Sequence, residues 1–556
     1  MFKVNRELYL PDGVKYIIQK LMDNNYEAYL VGGCVRDFLE NCKLSDSDNS
    51  KKVIVHDYDI TTNAKPEEVI ELFKDKKVIL TGLKHGTVTV RVNGENYEVT
   101  TYRTESDYSD FRHPDKVEFV SSIEEDLSRR DFTINAIAYN PLTKEFVDPF
   151  DGIEDIGKCV RCVGNPEDRF KEDPLRILRG VRFAICKDLS IQIKTSQKMR
   201  EYNSLLQKIS KERITDEFRK IILGTKSFDI YAQKNKKQYW DSSQAILESI
   251  IIAVMPIFYS CYFYVIGLDN RLDVDEKHTP NIWCSERYLF DHLWNVCGEA
   301  LALSDKPDFV LAVAALCHDL GKLTTRTRDE NNIYHFYKHP EESVRLFKEK
   351  VLPYLALSNE EISEITTLIK YHDMDIAPTK KSIRKALQKM SPELLKKLLI
   401  LQEADKNCHT YKYRKQQHNI YRNLHLVSYL LDEVLKDNKE CFTLKQLAIN
   451  GNDLLELGIP QGKDIGKILN VLLNEVVEGN LENTKEALLS SNIVNAAYKE
   501  SVVDTISESD ERKDVCINTD TSGGKIYVKG VFEPREPEYN LTISETLLSQ
   551  TEEKKK

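Results

Sequence analysis

The sequence lacks the features of a secreted or disulfide-stabilised protein. Its twelve cysteines are scattered through 556 residues without a paired spacing, and its first residues contain no apolar core of the kind a signal peptide needs. These absences predict a reducing, cytoplasmic environment. The net charge is −10, so an overall basic excess, the usual mark of a nucleic-acid-binding protein, is missing as well.

Long apolar runs are also scarce. Ser249–Leu268 is a stretch of twenty residues without a charge, and its length alone would permit a membrane span. However, Pro256 lies in the middle, and Tyr259, Tyr262 and Tyr264 carry hydroxyl groups that would need partners in lipid. We therefore predict two buried helical pieces here and no membrane partner.

Basic charge is instead concentrated locally. Lys380–Lys415 contains eleven Lys and Arg against three Asp and Glu, and Lys194–Lys220 contains eight against four. A solvated helix face explains either stretch alone, and contact with RNA phosphates explains the two together.

A pair of acids is the sharpest local signal. Asp57 and Asp59 follow the apolar run Val53–Val55, and on a strand, residues two apart project to the same side. Adjacent carboxylates repel one another, so the pair favours a hard divalent cation such as Mg²⁺. Such ions can stabilise the attacking and leaving oxygens of phosphoryl transfer. Taken alone, this short motif is more typical of a surface turn.

Two neighbouring segments strengthen the metal hypothesis. Gly32 and Gly33 follow an apolar run, and a glycine pair between a strand and a helix lets backbone N–H groups approach a phosphate. Arg36 can add a bidentate contact to phosphate oxygens. Glu98 lies on a predicted strand and is either the third acid of the site or a solvent-facing strand residue.

Six motifs in a fixed order carry a family resemblance. The chain contains, in this order, GGCVRD, DYDITTNAKPEEV, HGTVTV, YEVTTYRTESDY, EDLSRRDFTINAIAY and EDPLRILRGVRFA. The series resembles the class II tRNA nucleotidyltransferases, the CCA-adding enzymes of the poly(A) polymerase superfamily. The resemblance is close over residues 10–225 and looser to about 490.

A second set of residues resembles the HD phosphohydrolase domain. His318 and Asp319 lie in LCHDLGK, with His292 before them and Asp405 after them, and distant His and Asp can converge on a metal in a helical domain. The four match that domain's ligand positions, and His339 and His372 could assist or bind a second metal. The ion would be a transition metal or Mg²⁺. The resemblance implies phosphatase or cyclic phosphodiesterase chemistry on RNA ends or nucleotides, with RNA positioning alone as the alternative.

Together these resemblances imply a fold class and a division of the chain. The fold is an α+β N-terminal nucleotidyltransferase head with a mixed sheet and helices, followed by all-α neck, HD and C-terminal domains. The expected boundaries are 1–157 for the head, 158–230 for the neck, 231–285 for a helical connector, 286–435 for the HD domain, 436–498 for a helical tRNA-binding region and 499–556 for an unstructured tail.

The resemblance also assigns roles in the head. Asp57, Asp59 and Glu98 would be catalytic, with Mg²⁺ held by the two aspartates. Asp173 and Arg176, three apart on one predicted helix, would read the base. The carboxylate accepts from the exocyclic amine that C and A share, and the guanidinium donates to ring acceptors. The expected nucleotide-binding residues are Gly32, Gly33, Arg36, Arg103, Arg129, Arg130, Asp131, Asn135, Glu172, Asp173, Arg176 and Arg179.

Further matches concern a loop and a helix. Thr104–Phe119 matches a flexible loop that assists the change from C to A, and Glu212, Arg213 and Glu217 match a helical motif near the neck. The implied activity is template-independent addition of CCA to tRNA from CTP and ATP, with tRNA as partner and the oligomeric state open. A poly(A) polymerase is the alternative, and an HD phosphohydrolase whose head only binds nucleotide is the second alternative.

Overall fold

The computed structural model divides into two compact units, which are Met1–Met374 with Lys397–His418, and Asp375–Lys396 with Asn419–Lys556. The residues that the structure describes are 8–43, 55, 57–106, 108, 111, 114, 116–224, 255, 289–330, 334–408, 418–437, 440–499, 518–519 and 526–527. Residues 45–52 lie outside them, as does the uncharged run 249–268 apart from Met255. Within the described residues, no helix combines the length and apolar character that crossing a bilayer requires.

A seven-stranded mixed sheet forms the N-terminal part of the first unit. Its order is β3-β4-β5-β2-β1-β8-β9. Only β2 and β5 pair in parallel, and the other neighbours are antiparallel. The strands up to this point in the chain are β1 Ala28–Val31, β2 Asp59–Thr62, β3 Lys77–Ile79, β4 Thr87–Val92, β5 Glu95–Thr101, β6 Arg103–Ser106, β7 Lys116–Phe119, β8 Ala138–Asn140 and β9 Glu145–Val147.

The sheet forms because its strands alternate buried apolar and exposed polar residues. In β4, Val88, Val90 and Val92 are buried, while Arg91 is exposed, as the two-residue period of a strand requires. The helices of this region are α1 Asp12–Asp23, α2 Gly33–Lys43, α3 Pro66–Leu72, α4 Ile123–Ser128 and α5 Gly152–Asp155. The buried face of α1 carries Gly13, Val14, Ile17, Ile18 and Leu21.

The predicted loop Thr104–Phe119 contains regular structure at both ends. β6 and β7 pair as an antiparallel ribbon, with Arg103 opposite Phe119 and Ser106 opposite Lys116. Of the residues between these strands, the structure describes only 108, 111 and 114. The ends of this segment are thus strands, which the sequence match to a flexible loop did not predict.

Helices dominate the rest of the first unit. The neck helices are α6 Pro166–Glu172, α7 Leu175–Lys187, α8 Ile193–Tyr202 and α9 Lys211–Gly224, and the short strands β10 Cys159–Val160 and β11 Ser190–Ile191 pair in parallel beside them. The next helices are α10 Leu289–Leu303, α11 Phe309–Cys317, α12 Lys322–Thr325, α13 His339–Leu346 and α14 Asn359–Tyr371. All nine residues of α11 are buried, so this helix forms the centre of its region.

The second unit is helical and has its own core. Its helices are α15 Lys380–Leu387, the first residues of α16 Pro392–Asn407, α17 His418–Lys436 from its second residue, α18 Gly451–Glu456, α19 Lys463–Glu478 and α20 Lys485–Leu489. The rest of α16, from Lys397 onward, belongs to the first unit. The core includes Leu454, Leu472, Val477 and Leu488. Two short strands, Asn518–Thr519 and Ile526–Tyr527, pair within the stretch that we predicted to be unstructured.

Candidate active site and a second metal cluster

The predicted glycine turn joins β1 to α2. β1 ends at Val31, Gly32 has φ = 77°, and α2 begins at Gly33. This left-handed conformation favours glycine because other residues would place a Cβ against the backbone. A Cβ at Gly32 would point between Oδ2 of Asp59, 3.5 Å away, and a guanidinium nitrogen of Arg130, 3.6 Å away. The turn therefore opens directly onto one acid of the predicted pair.

The two predicted acids do not share a strand. β2 begins at Asp59, opposite Val31, whereas Asp57 precedes the strand with φ = 52°. The prediction that alternation along one strand directs both side chains is therefore wrong at Asp57. A left-handed residue breaks the two-residue period, and aspartate is among the few non-glycine residues that tolerate this conformation.

Glu98 joins Asp59 through the pairing of β2 with β5. These strands are parallel, with Ile60 opposite Val99, so the residues that precede this pair lie side by side on the same face. Desolvation by the surrounding protein raises the pKa of Asp59 to about 6. The charges of Glu98 and Asp57 reinforce this rise, and the charge of Arg130 opposes it. The three predicted acids therefore concentrate negative charge at one place. Their oxygen donors fit a divalent cation such as Mg²⁺.

A cavity of about 420 Å³ opens beside the glycine turn. We call it the arginine cavity because seven arginines line it against three aspartates, an excess of positive charge that suits a polyphosphate. Its walls come from the glycine turn, the segment after α4, and the neck helices. The lining residues are Gly32, Gly33, Arg36, Asp59, Arg129, Arg130, Asp131, Asn135, Asp173, Leu175, Arg176, Arg179, Arg182, Phe183 and Arg213.

Asp131 orients several of these groups. It lies 2.7 Å from a terminal nitrogen of Arg179 and accepts a hydrogen bond of 3.1 Å from the amide of Asn135, whose oxygen accepts 2.7 Å from Arg36. Burial alone would raise the pKa of Asp131, but Arg179 and the Asn135 amide outweigh it and lower the pKa to about 2. The ionised carboxylate therefore fixes a chain of side chains from the neck to the glycine turn.

Asp126 is a second organising acid, which sequence reasoning missed. It is fully buried and accepts hydrogen bonds of 2.9 Å from Arg129 and 3.3 Å from Arg130. Burial would raise the pKa of Asp126, but these two guanidinium groups hold it below its usual value. Arg103, predicted to bind nucleotide, instead pairs with Glu105 at 2.8 Å and is not among the residues that line the cavity.

The base-reading pair is arranged differently from the prediction. α6 ends at Glu172, and Asp173 is extended with φ = −140° before Pro174, because a residue that precedes proline disfavours the helical region. The placement of Asp173 and Arg176 on one helix is therefore wrong. Arg176 pairs with Glu172 at 2.6 Å, and Asp173 pairs with Arg213 at 2.8 Å. Even so, Asp173, Arg176 and Arg213 all line the arginine cavity.

Three lining residues were not predicted, namely Leu175, Arg182 and Phe183. A usable signal exists, because Arg182 and Phe183 follow Arg179 by three and four residues, the spacing of one helix face. The guanidinium of Arg182 lies 4.5 Å from the centre of the Phe183 ring and bonds Glu217 at 2.7 Å. One face of α7 thus forms a wall of the cavity.

Comparison with known proteins identifies the family. The “Poly A polymerase head domain” matches residues 28–160, the “Probable RNA and SrmB- binding site of polymerase A” matches 188–233, and “tRNA nucleotidyltransferase domain 2” matches 333–491. A CCA-adding enzyme from Ligilactobacillus salivarius is 32% identical over 494 residues, which cover 87% of this chain and 96% of that protein. The chain belongs to the CCA-adding enzyme family.

Other members of the family agree. A CCA-adding enzyme from Enterococcus faecalis is 50% identical over 209 residues, which are 37% of this chain and about half, 48%, of that relative. The crystal structure of the Bacillus stearothermophilus CCA-adding enzyme in complex with CTP matches with a TM-score of 0.53 and 26% identity, over 88% of this chain and 98% of that one. The predicted fold class, a mixed N-terminal sheet with helices followed by a mainly helical region, is confirmed.

The six histidines and aspartates predicted to form an HD site converge in the first unit. His292 lies on α10, His318 and Asp319 follow α11, and His339 begins α13. The other two members are His372, which follows α14, and Asp405 on α16. We call these six residues the histidine cluster.

Asp319 lies at the centre of the cluster. Its Oδ2 lies 3.5 Å from Nε2 of His292 and 3.4 Å from Nε2 of His318. Its Oδ1 lies 3.2 Å from Nε2 of His339 and 3.5 Å from Nε2 of His372. Asp319 therefore belongs to two potential metal-binding groups, and each of these also contains two of the histidines.

Asp405 completes one side of the cluster. Its Oδ1 lies 3.2 Å from Nε2 of His292 and 3.8 Å from Nε2 of His318. Lys406 lies 3.0 Å from the other oxygen of Asp405, and Lys322 forms an ion pair with Asp319. The two lysines partly balance the buried acidic charge.

The histidine tautomers favour a bound cation. In His318, His339 and His372, Nδ1 lies 2.7, 2.9 and 2.7 Å from a backbone carbonyl three residues earlier. Because Nδ1 donates to that carbonyl, the lone pair of Nε2 points into the cluster, as in histidines that bind metals. Nε2 of His339 and Nε2 of His372 are only 3.1 Å apart, and two lone pairs that face each other at this distance need a proton or a metal between them.

Burial strengthens this argument. His318 is fully buried and Asp319 is 1% exposed, yet among the described residues no contact of His318 Nε2 or Asp319 Oδ1 has the geometry of a hydrogen bond. Leaving buried polar atoms unsatisfied is costly. Imidazole and carboxylate donors are ligands for divalent metals, so the residues present fit a metal site.

Proposed function

We infer that the chain adds C, C and A to the 3′ end of tRNA, using CTP and ATP without a nucleic-acid template. The observation that carries this proposal is the convergence of the glycine turn, Asp59 and the arginines of the cavity at one end of the N-terminal sheet. The relationship to CCA-adding enzymes over nearly the whole chain supports it, as does the CTP complex of the Bacillus relative.

Asp57, Asp59 and Glu98 are the proposed metal-binding acids of this site. A bound divalent cation, generally Mg²⁺ in nucleotidyl transfer, would supply charge neutralisation at the triphosphate. The backbone N–H groups at Gly33 and the start of α2 would contact the phosphates, because a helix N-terminus favours anions. The tRNA 3′-hydroxyl attacks the α-phosphorus, the bond to the β-phosphate oxygen breaks, and pyrophosphate leaves.

Arg36 and Arg130 are the proposed contacts to the triphosphate charge. Both line the cavity beside the glycine turn, and their guanidinium groups match phosphate oxygens. Arg36 is held by Asn135 at 2.7 Å and by Asp37 at 2.9 Å. Because these partners fix its position before nucleotide binds, little side-chain freedom remains to be lost on binding.

Asp173 and Arg176 are the proposed base readers. Each carboxylate oxygen has two lone pairs, so Asp173 can still accept from the exocyclic amine of C or A while it bonds Arg213 and the backbone N–H of Leu175. Arg176 has five N–H donors, and its bonds to Glu172 and to two backbone carbonyls leave others for the base edge. G and U do not offer this combination of amine and acceptors.

One gel separates this proposal from poly(A) addition. The purified protein is incubated with Mg²⁺ and a tRNA that lacks its 3′ CCA, with CTP alone, ATP alone, or both. We expect two additions from CTP alone, three from the mixture, and then arrest. A long tail of A from ATP alone would identify a poly(A) polymerase, which uses the same kind of head.

The histidine cluster supports a second activity, the metal-dependent hydrolysis of phosphoesters. Its residues would hold one or two divalent ions, with Asp319 able to serve both. Water attacks the phosphorus, the ester P–O bond breaks, and the alcohol leaves with a proton. If hydrolysis were the main activity and the head only bound nucleotide, Asp57→Ala would leave every activity of the protein intact. We expect it to abolish nucleotide addition and to retain hydrolysis.

A further inference from the structure

Lys187 joins the two helices that line much of the arginine cavity. It is the last residue of α7, and its Nζ lies 3.1 Å from Oδ1 of Asp37 and 2.6 Å from Oε2 of Glu40, both on α2. The two acids are three residues apart and therefore share a face of α2. Each of the three side chains is 21% exposed or less, so water screens these ion pairs only in part. None of the roles proposed above uses Lys187.

Arg36 shares an acid with Lys187. Nε and one terminal nitrogen of Arg36 both lie 2.9 Å from Oδ1 of Asp37, which is the oxygen that Lys187 also contacts. The other terminal nitrogen donates to the side-chain oxygen of Asn135. Three of the five N–H donors of Arg36 face these partners, and two remain for a phosphate.

The position of Arg36 makes its charge important for a nucleotide. Its Nη2 lies 3.7 Å from the place that a Cβ at Gly33 would occupy, so the guanidinium lies at the glycine turn. The guanidinium carbon lies 5.0 Å from the centre of the Phe183 ring on α7. Arg36 lines the arginine cavity, whereas Lys187 is not among the residues that line it. Any effect of Lys187 on a nucleotide must therefore pass through its partners.

Arg36, Lys187, Asp37 and Glu40 form a balanced set of two cations and two anions. Without Lys187, one guanidinium would face two carboxylates, and the set would carry a net negative charge. Coulomb attraction would then draw Arg36 towards the acids, and the uncompensated negative charge would lie beside the proposed triphosphate site. Both effects oppose the binding of a polyanion.

We propose that Lys187 is a positioning residue for nucleotide transfer, which neutralises Asp37 and Glu40 and so keeps the guanidinium of Arg36 available to the triphosphate. The inference rests on the function proposed above for its effect on transfer, but binding of a triphosphate can be measured without transfer. Because CTP and ATP carry the same phosphates, it predicts an equal effect on both nucleotides and no change in selection between bases.

The test compares Lys187→Met, which removes the charge and keeps the length of the side chain, with Lys187→Arg, which keeps the charge. Equilibrium dialysis with Mg²⁺ and without tRNA measures the affinities for CTP and CMP. The kcat and KM for CTP and ATP are measured with a tRNA that lacks its 3′ CCA, and the melting temperature of each variant is recorded. The matched control is Lys158→Met, because Lys158 forms an exposed ion pair with Glu154 in the same unit.

We expect Lys187→Met to weaken CTP binding and to raise KM for CTP and ATP by about tenfold, with kcat and CMP affinity changed by less than about twofold. A rise in KM at constant kcat is the sign of lost binding that the ground state and the transition state share. Lys187→Arg and Lys158→Met should keep the wild-type values.

The outcomes separate this inference from the proposed function. If the wild type adds no nucleotide to tRNA but Lys187→Met weakens CTP binding more than CMP binding, the proposed function fails and the role of Lys187 stands. If the wild type adds nucleotides and Lys187→Met changes neither CTP affinity nor KM, the role of Lys187 is overturned. An equal loss of CTP and CMP affinity with a lower melting temperature also overturns it, because that pattern identifies a purely structural ion pair.

Discussion

In the arginine cavity, acids lie at the edge of an open space and arginines surround them, whereas in the histidine cluster two acids are enclosed with four imidazoles. Asp59 is exposed, and Asp319 is 1% exposed. The cavity of about 420 Å³ and its excess of arginines suit a polyanion of nucleotide size. The imidazole and carboxylate donors of the cluster suit a divalent cation. The two regions of one unit therefore suit different ligands.

The comparison also shows two ways of keeping buried carboxylates ionised. In and beside the cavity, Asp131 and Asp126 are neutralised by arginines of the protein itself, and the pKa of each lies below its usual value despite burial. In the cluster, lysines balance part of the charge of Asp319 and Asp405. The lone pairs of the histidines still point into the cluster. We infer that the cavity is complete without a metal except near Asp59, while the cluster requires one.

A large effect on this comparison is expected from Asp319→Asn. Because Asp319 belongs to both potential metal-binding groups, we expect phosphoester hydrolysis to fall by more than about 100-fold and metal content, measured by mass spectrometry of the dialysed protein, to fall as well. Asp329→Asn, outside the cluster, is the control. An unchanged metal content would show that the cluster is not a metal site.

A smaller effect is expected from Asp173→Ala. Loss of the acceptor for the exocyclic amine should lower the preference for CTP and ATP over UTP and GTP by about 10- to 100-fold. The measurement is kcat/KM for each nucleotide with a tRNA acceptor. Arg213→Ala, which removes the partner of Asp173 and one guanidinium that lines the cavity but keeps the carboxylate, should reduce the preference less. Equal losses in both variants would mean that their ion pair, and not the carboxylate itself, sets selection.

Asp131→Asn should alter stability in acid. The pKa of Asp131 lies at about 2 in the folded protein against a reference of 3.8, so the charged form stabilises the fold above pH 3.8 and this contribution is lost as the pH falls towards 2. We expect the free energy of unfolding of the wild type to lose about 2 kcal/mol more than that of the variant over this window. Denaturant titrations at several pH values measure it, with exposed Asp168→Asn as control. Parallel pH curves for wild type and Asp131→Asn would contradict the assignment.

The smallest effect is expected in the first part of the basic stretch Lys380–Lys415, at residues that belong to neither region. Lys381 and Lys385 both pair with Glu478, and Arg384 pairs with Glu440 at 2.9 Å. Because exposed ion pairs contribute little, Lys381→Ala and Lys385→Ala should each change stability by less than about 1 kcal/mol. With part of their charge already neutralised, each should also change tRNA affinity by less than about twofold in a filter-binding assay. A tenfold loss of tRNA affinity would instead support the hypothesis that this stretch contacts RNA phosphates.

The sequence predicted many of the residues that meet in the cavity and in the histidine cluster. The prediction was possible because the order of the motifs and the chemistry of their residues can be read without the structure. Gly32, Gly33, Asp59, Arg176 and Asp131 all line one cavity as expected, and the six members of the histidine cluster converge. These predictions depended on residue types with a specific chemistry, and each motif lies within a short segment of the sequence. The proposed domain boundaries remain predictions.

Local geometry and long-range partners were harder to foresee. The left-handed backbone at Asp57 is set by how the chain enters β2. The alternation of side chains along a strand does not predict the backbone of residues that precede the strand. The break at Asp173 was available from Pro174, whose ring disfavours helix in the preceding residue. The choice of Arg213 as partner for Asp173 depends on the packing of α9 and is not written in any local pattern.

The most direct test of the account is Asp59→Asn, assayed for both activities. We expect CTP incorporation into tRNA lacking CCA to fall about a thousandfold or more, while phosphoester hydrolysis is retained. Because the pKa of Asp59 is raised in the fold, the neutral residue should not lower the melting temperature of the metal-free protein at pH 7. If Asp59→Asn incorporates CTP at the wild-type rate, the arginine cavity is not where nucleotides are transferred.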